Sequence, residues 1–173
     1  MDFKLVSHTD PILKTPCQKF DFLNPAFDPI EFSKDFIKFM YQCNGIGLAA
    51  PQINKAIRLF VIDTVQVFEN SDDEDKDQFE GEQGMKKVFI NARITDRSGH
   101  EWTCDEGCLS LPGFREEVTR ENIITISYCD EQLVQKTETY RGLNARVIQH
   151  EYDHIDGKLF IDRISLIKRK LLK

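Results

Sequence analysis

The chain has 173 residues, 40% hydrophobic and 30% charged, enough for one domain with a sizeable core and too few for two ordinary ones. No apolar run reaches membrane-spanning length, Met1–His8 lacks the apolar stretch of a secretory leader, and five cysteines without framework spacing do not make a disulfide scaffold. A protein of the reducing cytoplasm with no membrane partner is expected. The net charge of −6 is concentrated: Glu69 to Gly84 holds eight acidic residues against Lys76 alone, so that segment carries −7 and the remainder about +1. A near-neutral body gives no support to specific nucleic-acid binding. The acidic stretch, 69–84, reads as a solvated, mobile loop inserted in a single domain spanning 1–173.

In chain order, Thr9-Asp10-Pro11, Thr15-Pro16 and Asn24-Pro25 mark an extended, turn-rich opening segment that wraps the domain and shows no chemistry. A helix follows. Asp28 suits its N-cap, Pro29 its first position and Glu31 a capping box; Ile30, Phe32, Phe36, Ile37, Phe39, Met40 and Cys43 give it an apolar face, and Asn44-Gly45 ends it. Gly45-Ile46-Gly47-Leu48-Ala49-Ala50-Pro51-Gln52 then permits close backbone approach by another chain or a ligand. Gln52 ends this apolar stretch and needs a partner if buried; a turn with Gln52 on the surface is the alternative. Ile57–Asp63, Lys87–Asn91, the surroundings of Trp102, Ile123–Tyr128 and Gln135–Tyr140 read as strands. Many strands with one early and one late helix predict an α+β domain dominated by antiparallel pairing.

The late helix carries the chemistry. Gln149–Gly157 contains His150-Glu151-Tyr152-Asp153-His154, and histidines four apart on a helix share one face. Both imidazoles can then reach one metal ion, with Glu151 beside it as a proton carrier. Leu143, Val147, His150 and His154 fall on one stripe and Ala145, Ile148, Tyr152 and Ile155 on another, the pattern of an interior helix, with Gly157 as its stop. A third ligand must come from elsewhere. Cys17, Cys43, Cys104 and Cys129 sit where a small buried hydrophobe suffices, whereas Cys108 lies in the loop Asp105–Gly113 beside Glu106, as a thiolate ligand or an ordinary loop cysteine. A zinc peptidase cutting internal bonds would take a distant His or Glu instead, and His8 and His100 are the only other histidines. A non-catalytic metal module would need neither Glu151 nor Gln52.

Gly45–Gln52, Glu106-Gly107-Cys108-Leu109-Ser110 and Gln149–Gly157, in this order, resemble the peptide deformylases, and the likeness extends from about Asp10 through the C-terminus, except for the acidic stretch. The resemblance implies antiparallel β-sheets enclosing a central helix that carries the His-Glu-x-x-His motif. It implies removal of formate from the formyl-methionine of newly made polypeptides. Carried over residue by residue, it makes Cys108, His150 and His154 the metal ligands, Glu151 the acid/base, and Gln52 with the Leu109 amide the oxyanion donors. Ile46, Leu143 and Val147 match positions that line the pocket for the first side chain, while Gly45, Gly47 and Gly107 leave room for the substrate backbone. Glu106 and Arg115 are expected to order the metal loop, without a pairing legible in sequence. One divalent ion is implied, Fe²⁺ in the cell, with Zn²⁺, Ni²⁺ or Co²⁺ in purified protein. Some relatives dock a longer C-terminal extension on the ribosome; the basic tail Ile161–Lys173 reads as a helix end, with transient ribosome contact as the alternative.

Overall fold

The computed structural model describes residues 2–170. Its first helix, α1, runs Pro29–Gln42, capped by the Asp28 carboxylate, which accepts from the backbone N–H groups of Ile30 and Glu31. The expected capping box is not completed. Glu31 pairs instead with Lys34 at 2.7 Å, one turn on and exposed. Phe32, Phe36 and Met40 form the buried stripe of α1, and the helix closes where Asn44 turns left-handed at φ 57° and the Gly45 N–H returns to Met40 O.

The described strands form one five-stranded antiparallel sheet in sequence order: β1 Gly47–Ala49, β2 Leu59–Asp63, β3 Lys86–Cys108, β4 Leu111–Cys129 and β5 Gln135–Arg141. This replaces the several sheets expected. β3 and β4 are long enough to serve throughout, and their pairing shifts register between Ile90 and Arg93, Ile94 and Asp96, and Ser98 and Glu101. Such bulges bend a ribbon and raise its twist, so one sheet turns where two would otherwise be needed. The loop expected at Asp105–Gly113 is likewise strand. β3 continues to Cys108, which pairs with Leu111 across the two-residue turn Leu109-Ser110. Gly107, Pro112 and Gly113, which read as loop residues, hid the strands there.

The acidic stretch is not an extended loop. It folds as α2 Val65–Asn70, α3 Asp73–Lys76 and a 3-10 turn Asp77–Phe79. Phe79 is the reason: it is fully buried and meets Phe68 edge-on at 5.0 Å. Glu80 accepts from the Asn122 amide, Glu82 from that of Asn144, and the carboxylates left outside face water. One aromatic residue among many acids outweighed a composition typical of disorder.

The last long helix, α4, spans Gly142–Ile155 and packs on β1, β2, β4 and β5; twelve of its fourteen residues are buried, so it is apolar or paired on nearly every side. It stops at Gly157, where φ is 71° and the N–H groups of Gly157 and Lys158 return to the carbonyls of His154 and Asp153. A final short helix, α5, covers Leu166–Lys170; the rest of the basic tail, from Leu171 on, lies outside the described residues. Two of its cations fold back, Lys168 onto Glu116 at 2.6 Å and Arg169 onto the Ile161 carbonyl. No helix among the described residues is long and apolar enough to cross a membrane.

Phe79→Ala should cost about 3–5 kcal/mol, the usual range for emptying a buried aromatic site. Urea denaturation of the two proteins measures it, and a difference below about 0.5 kcal/mol would mean that the acidic segment is not docked.

Candidate metal and active site

Cys108, the last residue of β3, meets His150 and His154 of α4: one ligand-type atom from each lies within 4.8 Å of the other two. Cys108 Sγ is 3.3 Å from His154 Nε2. The two imidazole rings are 5.2 Å apart, as expected of neighbours one helical turn apart. His8 and His100 lie elsewhere, on the N-terminal segment and beside Glu80 on β3, so the peptidase ligand set is not assembled.

A thiolate and two imidazoles suit a divalent transition ion. The cluster is built for one. His150 Nδ1–H donates to Glu106 Oε2 at 2.9 Å, which leaves the other ring nitrogen free to ligate. His154 Nδ1 is buried without a hydrogen-bond partner among the described residues. Burial pushes the Cys108 thiol up, but the charge and hydrogen bonds of His154 and His150 outweigh it and hold the thiol well below its usual range.

Glu106 anchors the arrangement. Burial would raise its pKa; the Arg120 guanidinium and His150 prevail and hold the carboxyl far below the usual range. Arg120 donates through Nε and Nη2 to both Glu106 oxygens at 2.6 and 2.8 Å and through Nη1 to Asp153 at 2.8 Å. Arg146 adds a bond to Glu106 at 2.6 Å, and Arg163 forks onto Asp153 with two bonds of 2.6 Å. The partners of Glu106 are therefore Arg120 and Arg146. Arg115 stays on the hairpin rim, donating to the Asp105 carbonyl. None of Arg120, Arg146 and Asp153 was singled out from sequence. The available signal was an acid between two histidines on a buried helix; Arg120, among Thr119, Glu121 and Asn122, carried none.

Glu151 points to β1. A side chain at Gly47 would place its Cβ 2.8 Å from Glu151 Cδ, so glycine is required there by this carboxyl rather than by an approaching chain. Burial lifts the Glu151 carboxyl to about 7 despite His150 and His154, and its Oε2 has no partner among the described residues. Gln52 is 2% exposed, on a 3-10 turn Ala50–Ile53 that follows β1. Its Oε1 accepts from the Ala49 N–H at 2.8 Å, and its Nε2 is thereby turned to Cys108 Sγ at 3.4 Å and Ser110 Oγ at 3.3 Å. The surface alternative for Gln52 is excluded. All of Gly45, Ile46, Gly47, Gln52, Glu106, Gly107, Leu109, Arg115, Leu143, Val147, His150 and Glu151 line one cavity of about 1050 Å³. Of the other cysteines, Cys17 and Cys129 are buried as expected, while Cys43 and Cys104 are half-buried.

These parts suit a metal-dependent hydrolase: three side chains able to hold a metal ion, a buried carboxyl pushed up to about 7, and a carboxamide on the wall of a substrate-sized cavity. The sequence profile described as polypeptide deformylase matches residues 3–170. The peptide deformylases of Flavobacterium psychrophilum and Flavobacterium johnsoniae are each 45% identical to the chain, over 100% of it and 88% and 87% of their own lengths. Among solved structures, peptide deformylase from Plasmodium falciparum superposes with a TM-score of 0.80 at 31% identity, covering 98% of this chain and 90% of its own. That from Synechococcus elongatus, in complex with actinonin, gives 0.79 at 35%, covering 98% and 83%. The chain belongs to the peptide deformylase family. It is a metal-dependent hydrolase that removes the N-terminal formyl group from nascent peptides.

Glu106 is ionised more readily in the folded state than in the unfolded one. Its contribution to stability is therefore complete above the ordinary value of 4.5 and is lost as the pH falls below it. Glu106→Gln should lower stability at pH 7 by about 3–5 kcal/mol by leaving arginine charge buried and uncompensated. It should also flatten the fall in stability below about pH 4.5. Urea titrations of both proteins at pH 7 and pH 4 check this, and an unchanged pH slope would remove Glu106 from acid unfolding.

Proposed function

We propose that Cys108, His150 and His154 hold a single divalent ion, that Glu151 moves the proton, and that Gln52 and the Leu109 N–H stabilise the formyl oxygen. The observation that carries this reading is the meeting of the thiol and both imidazoles beside the Glu151 carboxyl, with Cys108, His150 and Glu151 on the wall of the cavity that Gln52 also lines. We read α4 as the central helix that the sheet wraps, and the chain as one catalytic domain in which the acidic segment is an insertion. When bound, the ion polarises the formyl oxygen and lowers the pKa of water at the site. Glu151 accepts the proton of the attacking water and passes it to the leaving amine, a task for a group with affinity near neutrality. As the formyl carbon becomes tetrahedral, charge gathers on its oxygen, where Gln52 Nε2 and the Leu109 N–H donate. Glu106 holds His150 in the ligating tautomer.

The cellular ion in this reading is Fe²⁺, with Zn²⁺, Ni²⁺ or Co²⁺ able to take its place on purification, because a thiolate with two imidazoles accepts all four. The substrates are nascent formyl-methionyl chains in the cytoplasm; the basic tail reads first as a helix end, with transient ribosome contact as the alternative. Ile46, Leu143 and Val147 form the slot for the first side chain. Ile46 and Leu143 are half-buried against the core cluster that also contains Val147, and an unbranched methionine fills such an apolar slot. Gly45, Gly47 and Gly107, all on the cavity wall, border the substrate's main chain. Arg115, on the cavity rim, orders the turn that carries Leu109.

Glu151→Gln should keep its metal and lose about 100- to 10,000-fold in turnover, the usual contribution of a positioned acid/base. Formate release from a formyl-Met peptide and metal content are read on one preparation. Turnover near that of the unaltered enzyme would take Glu151 out of the mechanism. Val147→Phe should retain metal while raising KM for formyl-Met peptides and shifting preference toward smaller first residues, since one methylene in such a slot is worth about 1–3 kcal/mol. Unchanged discrimination between formyl-Met and formyl-Ala would put the slot elsewhere.

A further inference from the structure

The two proposed donors to the formyl oxygen stand on segments that no strand pairing joins directly. Gln52 follows β1 on its 3-10 turn, and β1 borders β2; Leu109 sits in the turn beyond Cys108, whereas β2 meets β3 only at Lys86–Ile90. The side-chain links between the two segments are long, 3.4 Å from Gln52 Nε2 to Cys108 Sγ and 3.3 Å to Ser110 Oγ. The short links come from a third segment. Val6 N–H donates to the Gln52 carbonyl at 2.9 Å, and His8 N–H donates to the Ser110 carbonyl at 2.8 Å. These two donors lie two residues apart, and one bond runs to each turn.

This segment is itself fixed. The Phe3 ring meets Phe32, Phe36 and Phe39 of α1 edge-on at 5.5, 5.8 and 5.6 Å. Leu5 packs in the same hydrophobic cluster as Leu109, and Leu5, Val6 and Ser7 reach the cavity wall. We propose that Phe3–His8 is a positioning strap. It ties the Gln52 turn to the Leu109–Ser110 turn through two backbone hydrogen bonds and so sets the spacing of the two oxyanion donors, without holding the metal or the first side chain. The proposal rests on the assignment of Gln52 and Leu109 as those donors. Geometry is the reason the strap affects rate: a misplacement of about 1 Å in a preorganised site costs on the order of a hundredfold.

Val6→Pro deletes one of the two N–H donors and leaves every cavity-lining group proposed for catalysis in place. Turnover per bound metal, KM for a formyl-Met peptide, metal content and thermal unfolding are measured for Val6→Pro, Gln52→Ala and the double variant. A strap acting through Gln52 lowers kcat by about 10- to 100-fold in Val6→Pro at nearly constant KM and metal content. In the Gln52→Ala background the same substitution then has little further effect, because coupled residues are non-additive. Phe3→Ala, which loosens the anchor and touches neither bond, should show the same kcat-only signature at smaller amplitude, and it decides the matter if the proline variant does not fold. Unchanged kcat per metal in the folded variants, or a loss that multiplies fully with that of Gln52→Ala, would overturn the strap. An unimpaired Gln52→Ala would instead overturn the donor assignment beneath it.

Discussion

The site depends on one buried ion network. Glu106 and Asp153 approach from different elements, β3 and α4, and Arg120 of β4 lies between them with both carboxylates in hydrogen-bond contact. Bringing these charges out of water is costly, and only full pairing offsets the cost. Arg146 and Arg163 complete that pairing. The network brings little net stability in such an accounting; what it supplies is register. The end of β3 that carries Cys108 can be in only one place relative to the face of α4 that carries the two histidines, because any slip would leave a charge unpaired in a dry interior.

From that clamp the chemistry follows by proximity. Glu106 reaches His150 with the oxygen that Arg120 also grips, so the His150 ring is oriented by the same group that locks the sheet to the helix. One residue further along α4, Glu151 has no such guanidinium and is turned toward the bare backbone of Gly47. Two buried glutamates in one site thus take opposite states. Glu106 is held ionised by arginine and histidine, and Glu151 is pushed by burial to where it can both take and give a proton near neutral pH. Hydrogen bonding at one carboxyl and desolvation at the other divide the structural from the chemical role.

The acidic segment shows how composition misleads. Its charge describes the side facing water, while Phe68 and Phe79 face inward, and two aromatic rings in contact outweigh many solvated carboxylates that need not be buried at all. The long hairpin of β3 and β4 was hidden for a related reason. Several of its inward positions are polar, Glu106, Arg120 and Asn122, so the apolar alternation that identifies a strand is absent even though burial alternates on β4 and the backbone ladder continues.

The linear order of residues was sufficient for whatever depends on local spacing. Histidines four apart on a helical pattern share a face; Asp28-Pro29 begins a helix and Gly157 ends one; β-branched runs make strands. It was also sufficient, through three motifs in fixed order, for the family and its reaction. Tertiary structure alone decided which distant groups meet. That Glu106 pairs with Arg120 and Arg146 rather than Arg115, that Asp153 between the histidines turns away from the metal side to two arginines, and that Val6 and His8 lie across the turns bearing Gln52 and Ser110 are facts of register and chain path. Spacing along a chain sets which side of its own element a residue occupies. The partner opposite is set by the mutual packing of whole elements, where the requirement that every buried charge find its counterpart selects one arrangement.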